Sequence, residues 1–89
     1  MKISYRKSFL KDLKKLKREL VYYDIFDLVF TMLPKIETLR EIPSVKAMSS
    51  CSNRYRIRIG DYRIGIELNG DMLELVRVLH RREFYRYFP

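Results

Sequence analysis

Hydrophobic positions along the chain change their spacing twice, and each change marks a new kind of element. Ile3 and Tyr5 alternate with polar neighbours, the period-two pattern of a short first strand. From Phe9 the spacing turns helical, with Leu10, Leu13, Leu16 and Leu20 following and Ser8 placed as the N-cap. Lys11, Lys14, Lys15, Lys17 and Arg18 fall largely on the other side, the charged outer face normal for a surface helix. A second helix is predicted from an Asp24 cap through Ile25, Leu28, Val29, Met32, Leu33 and Ile36. Pro34 has no amide donor and crowds the preceding turn, so a kink or a helix end is expected there. Residues 39–43 read as a connector, 45–48 as a short strand and 49–53 as a polar loop of the mobile type.

Period two then returns. Tyr55, Ile57 and Ile59 point one way while Arg54, Arg56 and Arg58 point the other. Gly60-Asp61 suits a two-residue hairpin turn, after which Tyr62, Ile64, Ile66 and Leu68 continue the apolar face. Arg63, Gly65 and Glu67 lie opposite them. Asn69-Gly70-Asp71 marks a second turn of two or three residues. Residues 72–79 are almost wholly apolar, as in a central strand covered on both sides, which leaves the face of Arg77 open. Residues 80–87 leave the sheet as a loop or a short helix. The expected fold is α+β, with residues 1–89 as one domain: two N-terminal helices on a twisted, mainly antiparallel sheet.

Pairing the strands through Gly60-Asp61 exposes a conflict. Ile57 faces Ile64 and Arg54 faces Glu67, both ordinary cross-strand partners. Arg58, however, stands directly opposite Arg63, and like charges in that position destabilise a sheet. Arg56 faces Gly65, whose missing side chain leaves an open floor or marks a bulge. Local violations of good packing are expected where function overrides stability. The competing explanation is a set of long basic side chains splayed into water to discourage edge pairing.

Charge narrows the partners. The net charge is +8 on 89 residues, which favours a polyanion: nucleic acid, an acidic protein or an anionic surface. The basic residues are also segregated by type. Residues 1–20 hold six lysines and two arginines, whereas eight of the eleven arginines lie from Arg54 to Arg86, with no lysine. Lysine is a hydrated point charge, while arginine offers a planar fork for phosphate or carboxylate and tolerates desolvation. The lone Cys51 cannot form an internal disulfide, and neither a signal peptide nor an apolar span of about 20 residues is evident. A reducing cytoplasmic setting without membrane contact is expected.

The chemistry-bearing residues cluster at the end of the apolar strand. His80, Arg81, Arg82 and Tyr85 place an imidazole, two guanidiniums and a phenol within six residues. Such groups suit phosphodiester cleavage without a metal or other cofactor. Attack by an RNA 2′-hydroxyl needs a base, stabilisation of the charged phosphorane and an acid for the departing 5′-oxygen. Arginines supply the middle requirement; histidine and tyrosine move protons or stack on a base. A single histidine at a strand end is more often structural, and C-terminal tyrosines often pack on a core. There is no glycine-rich phosphate loop, Cys/His metal spacing or nucleophile elbow.

The segments YRIRIGDYRIGIE and VLHRREFYRYF, in this order of elements, resemble the RelE/ParE superfamily of type II toxin–antitoxin toxins, most of all its RelE branch. The resemblance spans nearly the whole chain. It implies a ribosome-dependent mRNA endonuclease, an mRNA interferase whose reaction uses 2′-hydroxyl attack in the ribosomal A site. It also implies a RelB-like antitoxin partner in a hetero-oligomer. By that resemblance Arg63 matches an arginine that stabilises the transition state, and Arg81 a basic residue that aids the leaving group. Tyr85 matches a C-terminal tyrosine that stacks on or deprotonates the substrate, and His80 a position where basic residues recur. Arg58 joins this catalytic set. Arg54, Arg56, Lys46 and Arg82 are the expected RNA-binding residues. One departure concerns residues 46–50, where relatives often carry a basic stretch ending in glycine and only Lys46 is charged here. The alternatives are a ParE-like gyrase inhibitor and a weakened toxin relative that mainly binds an antitoxin.

Overall fold

Length mismatch between two neighbouring strands sets the architecture. The computed structural model describes residues 1–49 and 52–89, so Cys51 and the centre of the expected 49–53 loop lie outside the described residues. Strand β1 (Lys2–Tyr5) pairs in parallel with β5 (Met72–His80) but reaches only as far as Leu75. Beyond that point helix α1 (Lys7–Lys15) takes over the exposed edge of β5. The Arg6 N–H donates to the Leu75 carbonyl at 3.0 Å, and the Ser8 hydroxyl donates to the Val76 carbonyl at 2.6 Å. Next along, Asp12 accepts the Val78 N–H at 3.1 Å. A buried edge cannot be left to water, so side chains of α1 replace a missing strand.

That arrangement corrects two expectations. Ser8 is not the N-cap; Arg6 occupies that position without a side-chain bond, because the Ser8 hydroxyl is committed to β5. Helix α1 also stops at Lys15, and Leu20 is 97% exposed rather than packed. Lys15 and Leu16 already lie beside His80, where β5 ends, so nothing remains for further turns to cover.

Helix α2 (Val21–Asp27) begins three residues before Asp24, which sits in its first turn instead of capping it. The helix widens into a π turn over Leu28–Met32 and closes as a 3-10 turn over Leu33–Lys35. Pro34 cannot donate to the ladder and crowds the carbonyl of Phe30, four residues back. The chain turns extended at Ile36, the helix end expected there. A further 3-10 turn, Leu39–Glu41, lies within the connector.

The sheet runs β1-β5-β4-β3-β2, with β2 (Val45–Ala47), β3 (Arg54–Ile59) and β4 (Tyr62–Asn69) antiparallel to their neighbours. Ile57, Ile64, Ile66, Leu73, Leu75 and Val78 pack against Phe9 and Leu13 of α1 and Ile25, Leu28, Val29 and Leu33 around α2. Each such side chain contributes about 1.5–3 kcal/mol when fully buried. Between β4 and β5 the register slips: Gly65 faces Arg77 while Ile66 faces Leu75, leaving Val76 as the extra residue of a bulge. Val76 thereby joins a second, smaller cluster with Phe84 and Phe88 of the C-terminal segment, flanked by Met48 and Leu79. The last element is a helix, α3 (Arg81–Tyr87), which covers the second face of the sheet over β4 and β5.

Cross-strand repulsion is managed by the neighbours. Glu67 and Glu74 face each other between β4 and β5. Arg6 reaches both carboxylates, at 3.4 and 2.7 Å, and Arg54 holds Glu67 at 3.0 Å. Asn69 donates to both as well. That Asn69 bond, followed by the Arg54 and Arg6 charges, holds Glu67 below the usual carboxylate range. Arg77, whose face was open, forks onto both oxygens of Asp12 at 2.7 and 3.0 Å.

Candidate nucleic-acid site

Alternation along β3 and β4 turns Arg54, Arg56, Arg58 and Arg63 to the face opposite the main core, as expected from the hairpin pattern. The observed register is the one read from the turn: Arg54 with Glu67, Arg56 with Gly65, Arg58 with Arg63. Gly60 adopts φ +57°, a left-handed conformation that glycine takes without strain, which closes the hairpin in two residues.

The like-charge pair is relieved by burying one member. Arg63 is 9% exposed, and its Nη1 donates to the carbonyls of Gly60 and Tyr62, both at 2.9 Å. Among the described residues no carboxylate forms an ion pair with it. A fixed, partly desolvated cation therefore stands beside an exposed one, Arg58. The same turn holds a third. The Arg81 N–H donates to the Asp61 carbonyl at 2.8 Å, and its exposed guanidinium lies 3.8 Å from the Asp61 carboxylate. Arg63 and Arg81 thus both meet the Gly60-Asp61 turn, and Arg58 stands opposite Arg63 in the register beside it.

A second group sits further along the sheet. Lys46 of β2 pairs with Arg56, and these two share a shallow groove with Met48, Ser49 and Tyr85. Tyr85 is 59% exposed and stands edge-on to the buried Phe84 at 5.0 Å. Its ring is thereby oriented, with open surface for a stacking partner.

Three further residues of the expected set lie outside these two groups. His80 faces Tyr62 across the strands, so its side chain lies on the α1 side of the sheet, away from Arg63. Its ring packs edge-on to Tyr62 at 5.3 Å, and Nδ1 accepts the Arg82 N–H at 3.1 Å, the duty of a helix N-cap. Tyr62 itself is pushed above the ordinary phenol range, chiefly by burial. Arg54 is committed to Glu67, and its guanidinium lies 5.2 Å from the centre of the Phe88 ring. Arg82 is exposed, with no side-chain partner among the described residues.

The open floor expected at Gly65 is closed. A Cβ there would lie 2.7 Å from Cδ1 and Cγ of Phe88, so the glycine is the seat of that ring. The Phe84/Phe88 spacing of four, a short apolar stripe, was the available signal for this C-terminal helix. Gly65→Ala is expected to lose about 1–3 kcal/mol through overpacking. Urea unfolding checks this, with Phe88→Leu in the Gly65→Ala background recovering part of the loss.

Three comparisons bear on this geometry. The family described as the ParE toxin of a type II toxin–antitoxin system matches residues 3–85. This chain belongs to the RelE/ParE superfamily of toxins. It is 39% identical to Toxin RelE3 of Methanocaldococcus jannaschii over 90 residues, covering 100% of both chains. Among solved structures, the RelB–RelE antitoxin–toxin complex from Methanococcus jannaschii matches with a TM-score of 0.78 and 36% identity, over 97% of this chain and 99% of that one. The RelBE2 complex from Mycobacterium tuberculosis shares the fold, with a TM-score of 0.68 at 22% identity over 90% and 96% of the two chains. The α+β arrangement is therefore that of RelE structures. Among the described residues no helix is long and apolar enough to cross a membrane, and no three His, Cys, Asp or Glu side chains gather as metal ligands.

Proposed function

We propose that this toxin cleaves messenger RNA in the A site of the ribosome, in the cytoplasm, and that a RelB-like antitoxin holds it inactive in a hetero-oligomer. The carrying observation is that Arg63 and Arg81 are both held at one hairpin turn, with the exposed Arg58 paired opposite Arg63. In the reaction the substrate's 2′-oxygen attacks the adjacent phosphorus and the bond to the 5′-oxygen breaks, leaving a cyclic phosphate and a 5′-hydroxyl. Charge builds on the phosphorane oxygens, and Arg63, already held in place, stabilises it without reorganising. Arg81 and Arg58 bind the phosphate and the departing oxygen from the exposed side of the turn. Arg56 and Lys46 hold the neighbouring backbone, beside Tyr85.

Arginine is a poor proton carrier, because its pKa lies above about 12. With His80 on the other side of the sheet, we assign proton movement to Tyr85, supported by electrostatic stabilisation. The antitoxin reading is supported by a relative at 36% identity whose structure is a complex with RelB. A second reading, gyrase inhibition, is favoured by the family's description as ParE. The thinned basic segment at Lys46-Ala47-Met48-Ser49 favours a third, a weakened toxin that chiefly binds its antitoxin.

Adding the protein to a translation extract and mapping message ends decides among these. Cuts confined to A-site codons are expected. Intact messages with damaged DNA would transfer the assignment to gyrase, and intact messages without toxicity to the weakened form.

A further inference from the structure

The C-terminal helix is short, and its aromatic end meets two arginines that are each already tied to a carboxylate. On one side Glu67 holds Arg54, with Nε and Nη2 both 3.0 Å from one oxygen, and the guanidinium lies 5.2 Å from the centre of the Phe88 ring. On the other, Asp12 holds Arg77 in a two-pronged pair, and that guanidinium lies 5.4 Å from the centre of the Tyr87 ring. Both arginine side chains are about three-quarters buried and both guanidiniums are already paired, so neither is a free phosphate ligand. A cation over an aromatic face attracts it, more strongly as water is excluded. Phe88 in turn packs on Phe84 at 5.3 Å, and Phe84 supports the Tyr85 ring.

We infer that Arg54 and Arg77 are positioning residues: two carboxylate–arginine–aromatic latches that lock α3 onto the sheet and thereby set Tyr85 against Arg56 and Lys46. Rotamer freedom explains why such latches are needed. A seven-residue helix has little stability of its own. Phe88 on Gly65 supplies packing, but packing alone allows the helix to slide. A pair of fixed charges over two adjacent aromatic rings removes that freedom. The inference gives Arg54 a role different from RNA binding, and its link to catalysis rests on the ribonuclease reading.

The two roles separate kinetically. A latch residue acts on the geometry of the reacting complex, so Arg54→Ala is expected to lower kcat on programmed ribosomes roughly 10- to 100-fold. KM for ribosomes should stay within about two-fold, and the salt dependence of ribosome binding should be unchanged. Arg54→Lys keeps a cation over Phe88 and is expected to recover most of the rate. A raised KM with a shallower salt slope would instead make Arg54 a phosphate contact and overturn the latch; an unaltered kcat would overturn it as well. Hydrogen exchange gives a readout independent of any nuclease activity. In Arg54→Ala the amides of residues 84–88 should exchange at least tenfold faster while those of β4 and β5 hold their protection. Unchanged exchange in α3 would sink the latch even if messages are cut. Accelerated exchange in a protein that cuts no message would retain it and remove only the ribonuclease reading.

Discussion

Arg63→Ala is expected to reduce A-site message cleavage by about 100- to 1,000-fold while leaving the protein folded. The magnitude follows from losing one pre-positioned donor to a developing oxyanion, in a setting where the donor is already desolvated. Arg63 is nearly buried, yet its partners are two backbone carbonyls of the turn, and no carboxylate forms an ion pair with it among the described residues. Removing it frees the Gly60 and Tyr62 carbonyls at a surface turn, where water can replace the lost bonds at a cost of about 1 kcal/mol. Loss of activity and loss of stability therefore come apart. Because the interaction forms with the transition state, kcat should fall and KM should change little. Single-turnover cleavage of programmed ribosomes, with end mapping, checks both constants. Arg63→Lys should fall between, since an ammonium keeps the charge but lacks the further planar N–H donors that remain once Nη1 holds the two carbonyls. A variant that cuts at the wild-type rate would remove Arg63 from the chemistry.

The hairpin was legible because its rules are local. Residue numbers through a two-residue turn determine who faces whom, and Arg54/Glu67, Arg56/Gly65 and Arg58/Arg63 stand as that arithmetic requires. What local rules do not carry is the third dimension of each pair. Arg63 opposite Arg58 read as a conflict, and only the structure shows one guanidinium folded onto the turn's own carbonyls. Gly65 read as an opening because nothing near it in sequence fills the space; Phe88, 23 residues on, does. His80 was grouped with Arg81 by adjacency. His80 is the last residue of β5 and Arg81 the first of α3, and Tyr62 marks the face His80 takes. The alternative reading of Gly65 as a bulge marker does meet a register slip between Gly65 and Ile66, but the extra residue is Val76 on the facing strand, where an apolar run shows no interruption. Leu20 fits the helical period yet lies in water, because a period states which side is apolar and not where the supporting strand ends.

Asp12 was the largest omission, and its removal should have the largest effect on stability. It sits on a lysine-rich helix where an acidic residue reads as one more surface charge, yet it is 5% exposed. Its two oxygens take the Arg77 fork and the Val78 N–H, so together with Ser8 it closes the edge of β5 that β1 is too short to cover. Hydrogen bonding to Asp12, ahead of their mutual attraction, raises Arg77 above the ordinary arginine range. Asp12→Ala leaves a partly buried guanidinium unpaired and a buried amide unsatisfied. Breaking such a pair from one side costs about 3–5 kcal/mol, a large share of the roughly 5–15 kcal/mol that holds a small domain. Urea unfolding should show the midpoint falling with little change in slope, and a thermal midpoint lower by at least about 12 °C. Asp12→Asn keeps an acceptor for Val78 and should lose less. The double variant Asp12→Ala/Arg77→Met removes the stranded charge and should recover part of the deficit, since a hydrophobic replacement of a buried pair is often close to neutral. Equal losses in the single and double variants would mean that the orphaned Val78 amide, and not the charge, carries the cost. A loss below about 1 kcal/mol in Asp12→Ala would mean that α1 is not what seals the sheet.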